Sequence, residues 1–176
     1  MFMELYIKFL TAVGRYFGPH LIKYTNWYID RQWKKSGRQM IEDVRLISSV
    51  SFTKRLTKLF YTNPSGYKYK FNPDHNHGFY LILPSMEPAI VVNFVPDYSN
   101  PVHLAIIRHE YGHHVTRTQL TENSTLVDWE TMADQYALQF VEKNTYKEII
   151  RKATLDVFPE EYLLEDQIKR MEALDQ

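Results

Sequence analysis

The sequence predicts an α+β fold, on three observations. Apolar residues recur at helical spacing through the first third of the chain, alternate strictly in Gly66-Tyr67-Lys68-Tyr69-Lys70-Phe71, and return to helical spacing after Asn100. A composition 44% hydrophobic and 15% aromatic supplies one buried core for 176 residues, and an even balance of 21 basic and 21 acidic side chains excludes a disordered, highly charged chain. The expected organisation is one domain over residues 1–176, with a helical N-terminal region at 1–65, a mixed core at 66–143 and C-terminal helices at 144–176.

The first helix is expected from Met1 to Phe17, where Phe2, Leu5, Tyr6, Phe9, Leu10, Val13 and Phe17 form one stripe before Gly18-Pro19 interrupts it. Pro19 suits the first turn of a second helix, which Ser36-Gly37 ends near Lys35. A third helical stretch is read from Arg38 to Tyr61, on Ile41, Val44, Ile47, Phe52, Leu56 and Leu59. Then comes a three-stranded meander. Its strands are the alternating run at 66–71, the apolar run Phe79 to Leu83 and the apolar run Ala89 to Val95, separated by turn residues and prolines 84, 88 and 96.

Asn100 caps and Pro101 opens the next helix, expected to reach about Thr118. A polar connection leads to a helix at Leu126 to Lys143, with Asp128 near its start, and stretches at Tyr146 to Val157 and Glu160 to Ala173 finish the chain.

No cysteine is present, so disulfides, thiol nucleophiles and thiolate metal sites are excluded, and any metal must sit on His, Asp or Glu. The opening MFMELYIKFLTAV carries Glu4 and Lys8, lacks a basic start and is too short for a membrane span, so a cytoplasmic location without a transmembrane segment is expected. The same segment is compatible with an amphipathic helix lying on a membrane surface. Charge is divided along the chain: residues 1–70 hold 13 Lys and Arg against 4 Asp and Glu, and the remainder is correspondingly acidic. Either the halves dock on each other or the basic one meets an anionic partner.

The segment with chemistry is Ile107-Arg108-His109-Glu110-Tyr111-Gly112-His113-His114, which places HExxH on a helix. Residues four apart share a helical face, so His109 and His113 can each offer a ring nitrogen to one ion. Glu110, about 100° round the helix from His109, can hold a water there without being a ligand. Gly112 inside a helix costs about 1 kcal/mol against Ala and points to a close approach by another element.

A third ligand is sought downstream. Trp129-Glu130-Thr131-Met132-Ala133-Asp134-Gln135-Tyr136-Ala137 places Glu130, Ala133, Asp134 and Ala137 on one stripe. The two alanines allow close packing that brings Glu130 to the ion, and Asp134 can accept the free N–H of His109 or His113.

With HEYGHH, the preceding AIVVNFV and the following ExxADxxA, residues 79–142 resemble the minimal zinc peptidases of the ImmA/IrrE type, within the gluzincin-like branch of HExxH enzymes. The resemblance implies a minimal zincin-like core, zinc on His109, His113 and Glu130, Glu110 as the base, and a regulatory protein as substrate. The expected function is zinc-dependent hydrolysis of peptide bonds, with the substrate chain added as a strand to the sheet edge. The rival is a non-catalytic protein whose metal only stabilises it and which acts through its basic N-terminal region.

Other candidates carry less chemistry. His114, Tyr111, Tyr136 and either His75 or His77 could stabilise an oxyanion. His103 reads as a packing or surface residue, and the turn holding His75 and His77 as a polar loop. The run Arg31-Gln32-Trp33-Lys34-Lys35-Ser36-Gly37-Arg38, with Arg45, offers phosphate contacts to nucleic acid.

Overall fold

The structure, a computed structural model, describes residues 18–60, 70–82, 87–157 and 165–175. It is α+β. In chain order the elements are α1 (Gly18–Lys35), β1 (Met40–Ile41), β2 (Val44–Ser48), α2 (Val50–Phe60), β3 (Gly78–Leu81), β4 (Ala89–Val92), α3 (Pro101–Thr116), α4 (Leu126–Ala137), α5 (Lys143–Val157) and α6 (Glu165–Asp175). No helix among the described residues is long and apolar enough to cross a membrane.

The helix expected at 1–17 lies outside the described residues, as does the alternating run up to Tyr69; Lys70 and Phe71, at its end, are in irregular backbone. The first third is not wholly helical. Residues 40–48 form a hairpin, and only Val50–Phe60 of the third predicted helix is helical. Ile41, Val44 and Ile47 sit three apart and mimic a helical stripe, but the intervening Leu46 is also buried. In β2, Leu46 joins the core on one side of the sheet and Ile47 the core on the other, so this interior strand lacks the alternation that marks a half-buried one.

Among the described residues the sheet is four-stranded and mixed, in the order β1-β2-β4-β3, in place of the expected three-stranded meander. β2 runs parallel to β4, pairing Leu46 with Ile90, and β3 runs antiparallel to β4, pairing Tyr80 with Ile90. Among the described residues β3 is thus an edge strand. The hairpin turn is Glu42-Asp43, with Glu42 at φ 51°, a left-handed value unusual for a residue with a side chain.

Helices α1 and α2 cover one face of the sheet, through Ile29, Phe52 and Leu56 against Ile47, Phe79 and Val91. On the other face α3 packs Ile106, Ile107 and Tyr111 against Val44, Leu46, Tyr80 and Ile90. The Asn100 side chain accepts the Val102 N–H at 2.9 Å, with Pro101 in the first turn, so α3 begins where the sequence places it. Thr125 and Asp128 form a reciprocal capping box that starts α4.

α3 and α4 touch backbone to backbone. A Cβ built on Gly112 would lie 2.7 Å from the Ala133 carbonyl oxygen and 2.8 Å from its Cα. That close approach is what Gly112 and the alanine stripe permit. Gly112→Ala is expected to force the helices apart and destabilise the chain by about 1–2 kcal/mol despite the better helix propensity of Ala, as read by denaturant unfolding.

Candidate metal centre

α3 supplies His109 and His113 one turn apart, and α4, held close at Gly112, supplies Glu130. One ligand atom from each lies within 4.8 Å of the others, the only such group of three among the described residues. His109 Nε2 is 3.3 Å from Glu130 Oε2 and His113 Nε2 is 3.6 Å from Glu130 Oε1. Both histidines are buried and Glu130 nearly so. Such a group can hold a metal ion.

Glu110 is buried on the neighbouring face of α3, packed on β3. A Cβ on Gly78 would lie 2.8 Å from Glu110 Cγ, so the glycine makes room for the carboxylate. The backbone N–H of Tyr80 donates to that carboxylate. Burial nevertheless raises Glu110 to about 7, with His109 opposing and Glu130 reinforcing the rise.

The histidines differ in their support. His109 Nδ1 is 2.8 Å from Asp134 Oδ1, one turn beyond Glu130, and 3.1 Å from the Tyr146 hydroxyl. That hydroxyl donates to Asp134 Oδ1 at 2.6 Å. His113 is instead flanked by rings, with Trp129 at 4.5 Å and Tyr80 at 6.4 Å between centroids, and its buried Nδ1 has no hydrogen-bond partner among the described residues.

Arg170 of α6 completes the cluster. Its Nε and Nη2 donate to the two oxygens of Asp134 at 2.9 and 2.7 Å, and its Nη1 lies 2.7 Å from Glu130 Oε2. A guanidinium forked onto one buried carboxylate and reaching a second offsets the cost of burying both. Against burial, Arg170 and the histidines hold Glu130 and Asp134 well below the usual carboxylate range. Burial and Arg170 would lower His109, but Asp134 and Glu130 outweigh them and raise it to about 9. Burial dominates at His113 and lowers it to about 3.

Sequence reasoning brought His109, Glu110, His113, Glu130 and Asp134 together and missed Arg170, Tyr146 and the rings around His113. Arg170 lies 36 residues beyond Asp134 with no spacing that links the two, and Tyr146 reads only as a helical apolar position. The Tyr111 hydroxyl and His114 Nε2 are taken by Asp43 of the hairpin turn, at 2.9 and 3.1 Å. Tyr136 packs on Tyr111 and Phe140, His75 faces Asp156 at 3.9 Å, and His103 stacks on Phe94 at 4.0 Å.

Comparison of the chain with protein-family models, curated proteins and solved structures returns no match.

Asp134→Asn is expected to destabilise the chain by about 2–3 kcal/mol, because it removes the carboxylate onto which Arg170 is forked and leaves Glu130 as its remaining counter-charge, and chemical unfolding reads this directly. A metal ligand must be neutral imidazole, whereas metal-free His109 keeps its proton below about 9. Divalent ion uptake therefore releases a proton, and affinity should rise by up to roughly tenfold per pH unit as pH climbs towards that value. Calorimetric titrations in buffers of different protonation enthalpy check it.

Proposed function

We propose that this chain is a zinc-dependent peptidase that cleaves a protein or peptide substrate, with a regulatory protein as the substrate class. The observation that carries the reading is the juxtaposition of His109, His113 and Glu130 with the buried carboxylate of Glu110. A purely structural metal site has no use for a base beside it. The donor set of two imidazoles and one carboxylate, without thiolate, fits a zinc ion with an open fourth position.

When bound, zinc would lower the pKa of water towards ~7 and polarise the scissile carbonyl. Glu110 takes the proton from the attacking water and delivers it to the leaving amine, a double duty suited by a pKa of about 7. Tyr80 N–H and Gly78 hold that carboxylate against β3. Asp134 fixes the ring of His109, and Arg170 keeps Asp134 and Glu130 ionised. β3, at the sheet edge among the described residues and beside Glu110, receives an extended substrate backbone as an added strand. The cytoplasmic location expected from the sequence belongs to the same proposal.

Glu110→Gln preserves the side-chain shape and removes only its basicity. It is expected to retain about one zinc per chain while cleavage of a peptide library falls at least ~100-fold. His109→Ala, His113→Ala and Glu130→Ala are expected to lose the metal, measured by elemental analysis. Cleavage undiminished in Glu110→Gln overturns the assignment of the base and returns the metal to a stabilising role.

A further inference from the structure

The face of the sheet remote from the metal centre is covered by α1 and α2, and their outer surface is strongly one-signed. On α1, Lys23, Arg31, Lys34 and Lys35 are exposed, and Asp30, paired with Lys34 at 2.6 Å, is the helix's single acid. On α2, Lys54, Arg55 and Lys58 are exposed and no acid is present. The acidic surplus of the chain lies elsewhere in the sequence.

Aromatic rings stand among these cations. Tyr24 is 59% and Trp27 50% exposed, and with Arg31 they follow one another at helical spacing along the outer stripe of α1. Arg31 sits over the Trp27 ring at 5.3 Å, and Arg55 reaches across from α2 to the Tyr28 ring at 5.5 Å, joining the two helices into one surface. The inner side of α1 is occupied by the sheet, through Ile29 and the half-buried Tyr28 and Trp33. The exposed aromatics are not needed for that packing.

We propose that this α1–α2 face docks on an anionic lipid surface. Lys and Arg are attracted to acidic headgroups, and Trp and Tyr favour the boundary between headgroups and acyl chains. The composition of the sequence preceding α1 favours lipid over nucleic acid. It is rich in apolar residues, among them Phe2, Leu5, Phe9, Leu10 and Val13, which a bilayer interface accepts and a phosphate backbone does not. The four-stranded sheet separates this face from α3, so docking leaves the metal centre on the opposite side.

The test is co-sedimentation of the full chain with phosphatidylcholine vesicles made with and without phosphatidylserine. Binding is expected only with phosphatidylserine, and should weaken as salt rises because exposed charges are screened over about 8 Å at physiological ionic strength. Lys35→Glu/Lys54→Glu is expected to weaken it at least ~25-fold, at roughly fivefold per cation removed, and Trp27→Ala should weaken it severalfold. Equal binding to neutral vesicles, none to either, or indifference to the charge reversal overturns the proposal. So does an oligonucleotide that binds the same face and strips the chain from the vesicles, which would make nucleic acid the partner. If the double variant melts below the wild type, the salt series and the lipid comparison on the unmodified chain decide. The readout is partitioning, so it stands or falls independently of cleavage: Glu110→Gln should bind vesicles as the wild type does.

Discussion

The close approach of α3 to α4 at Gly112 is the constraint on which the centre depends. Two histidines on one helix can only half-surround an ion, and the remaining ligand has to come from another element within side-chain reach. With hydrogen at Gly112 and methyl groups at Ala133 and Ala137, the helices meet backbone to backbone, and Glu130 is brought between the histidines. Any side chain at Gly112 would widen the gap where the site has least tolerance.

Bringing these groups together concentrates charge in a dry place. Glu110, Glu130 and Asp134 are three carboxylates within two helices, and burial disfavours their ionised forms. The molecule answers with one deeply placed cation, Arg170, forked onto Asp134 and touching Glu130, and with the Tyr146 hydroxyl on Asp134. At Glu110, burial and the neighbouring Glu130 outweigh His109, the Tyr80 N–H and the more distant Arg170, so its pKa rises to about 7 while those of Glu130 and Asp134 fall. One carboxylate held near neutrality and two held ionised follow from how burial and Arg170 are divided among them.

The sheet separates two surfaces of different character. Its α3 face carries the buried ligands, and its α1–α2 face is covered by helices that carry exposed cations and aromatics. β2 and β4, buried on both sides by Leu46, Ile47, Ile90 and Val91, form the partition. An apolar layer thus lies between the two faces.

Local rules were enough to read the ends of α3 and α4, the pairing of His109 with His113 and the stripe that holds Glu130 and Asp134, because each depends on residues within a turn or two. Asn100, Thr125 and Asp128 act on their own helix ends, and a spacing of four means one helical face wherever the helix is placed. The hairpin at 40–48 escaped the same rules, since Ile41, Val44 and Ile47 have helical spacing and only insertion beside β4 makes both faces of β2 interior. Arg170 and Tyr146 escaped for a related reason. Nothing near them in sequence marks them as partners of Asp134, and it is the packing of α5 and α6 against α3 and α4 that carries them to a buried carboxylate needing counter-charge. The sequence by itself determined which side chains could bind and activate, through periodicity; the tertiary structure decided which charges accompany them, because compensation of a buried charge is set by distance in space and not along the chain.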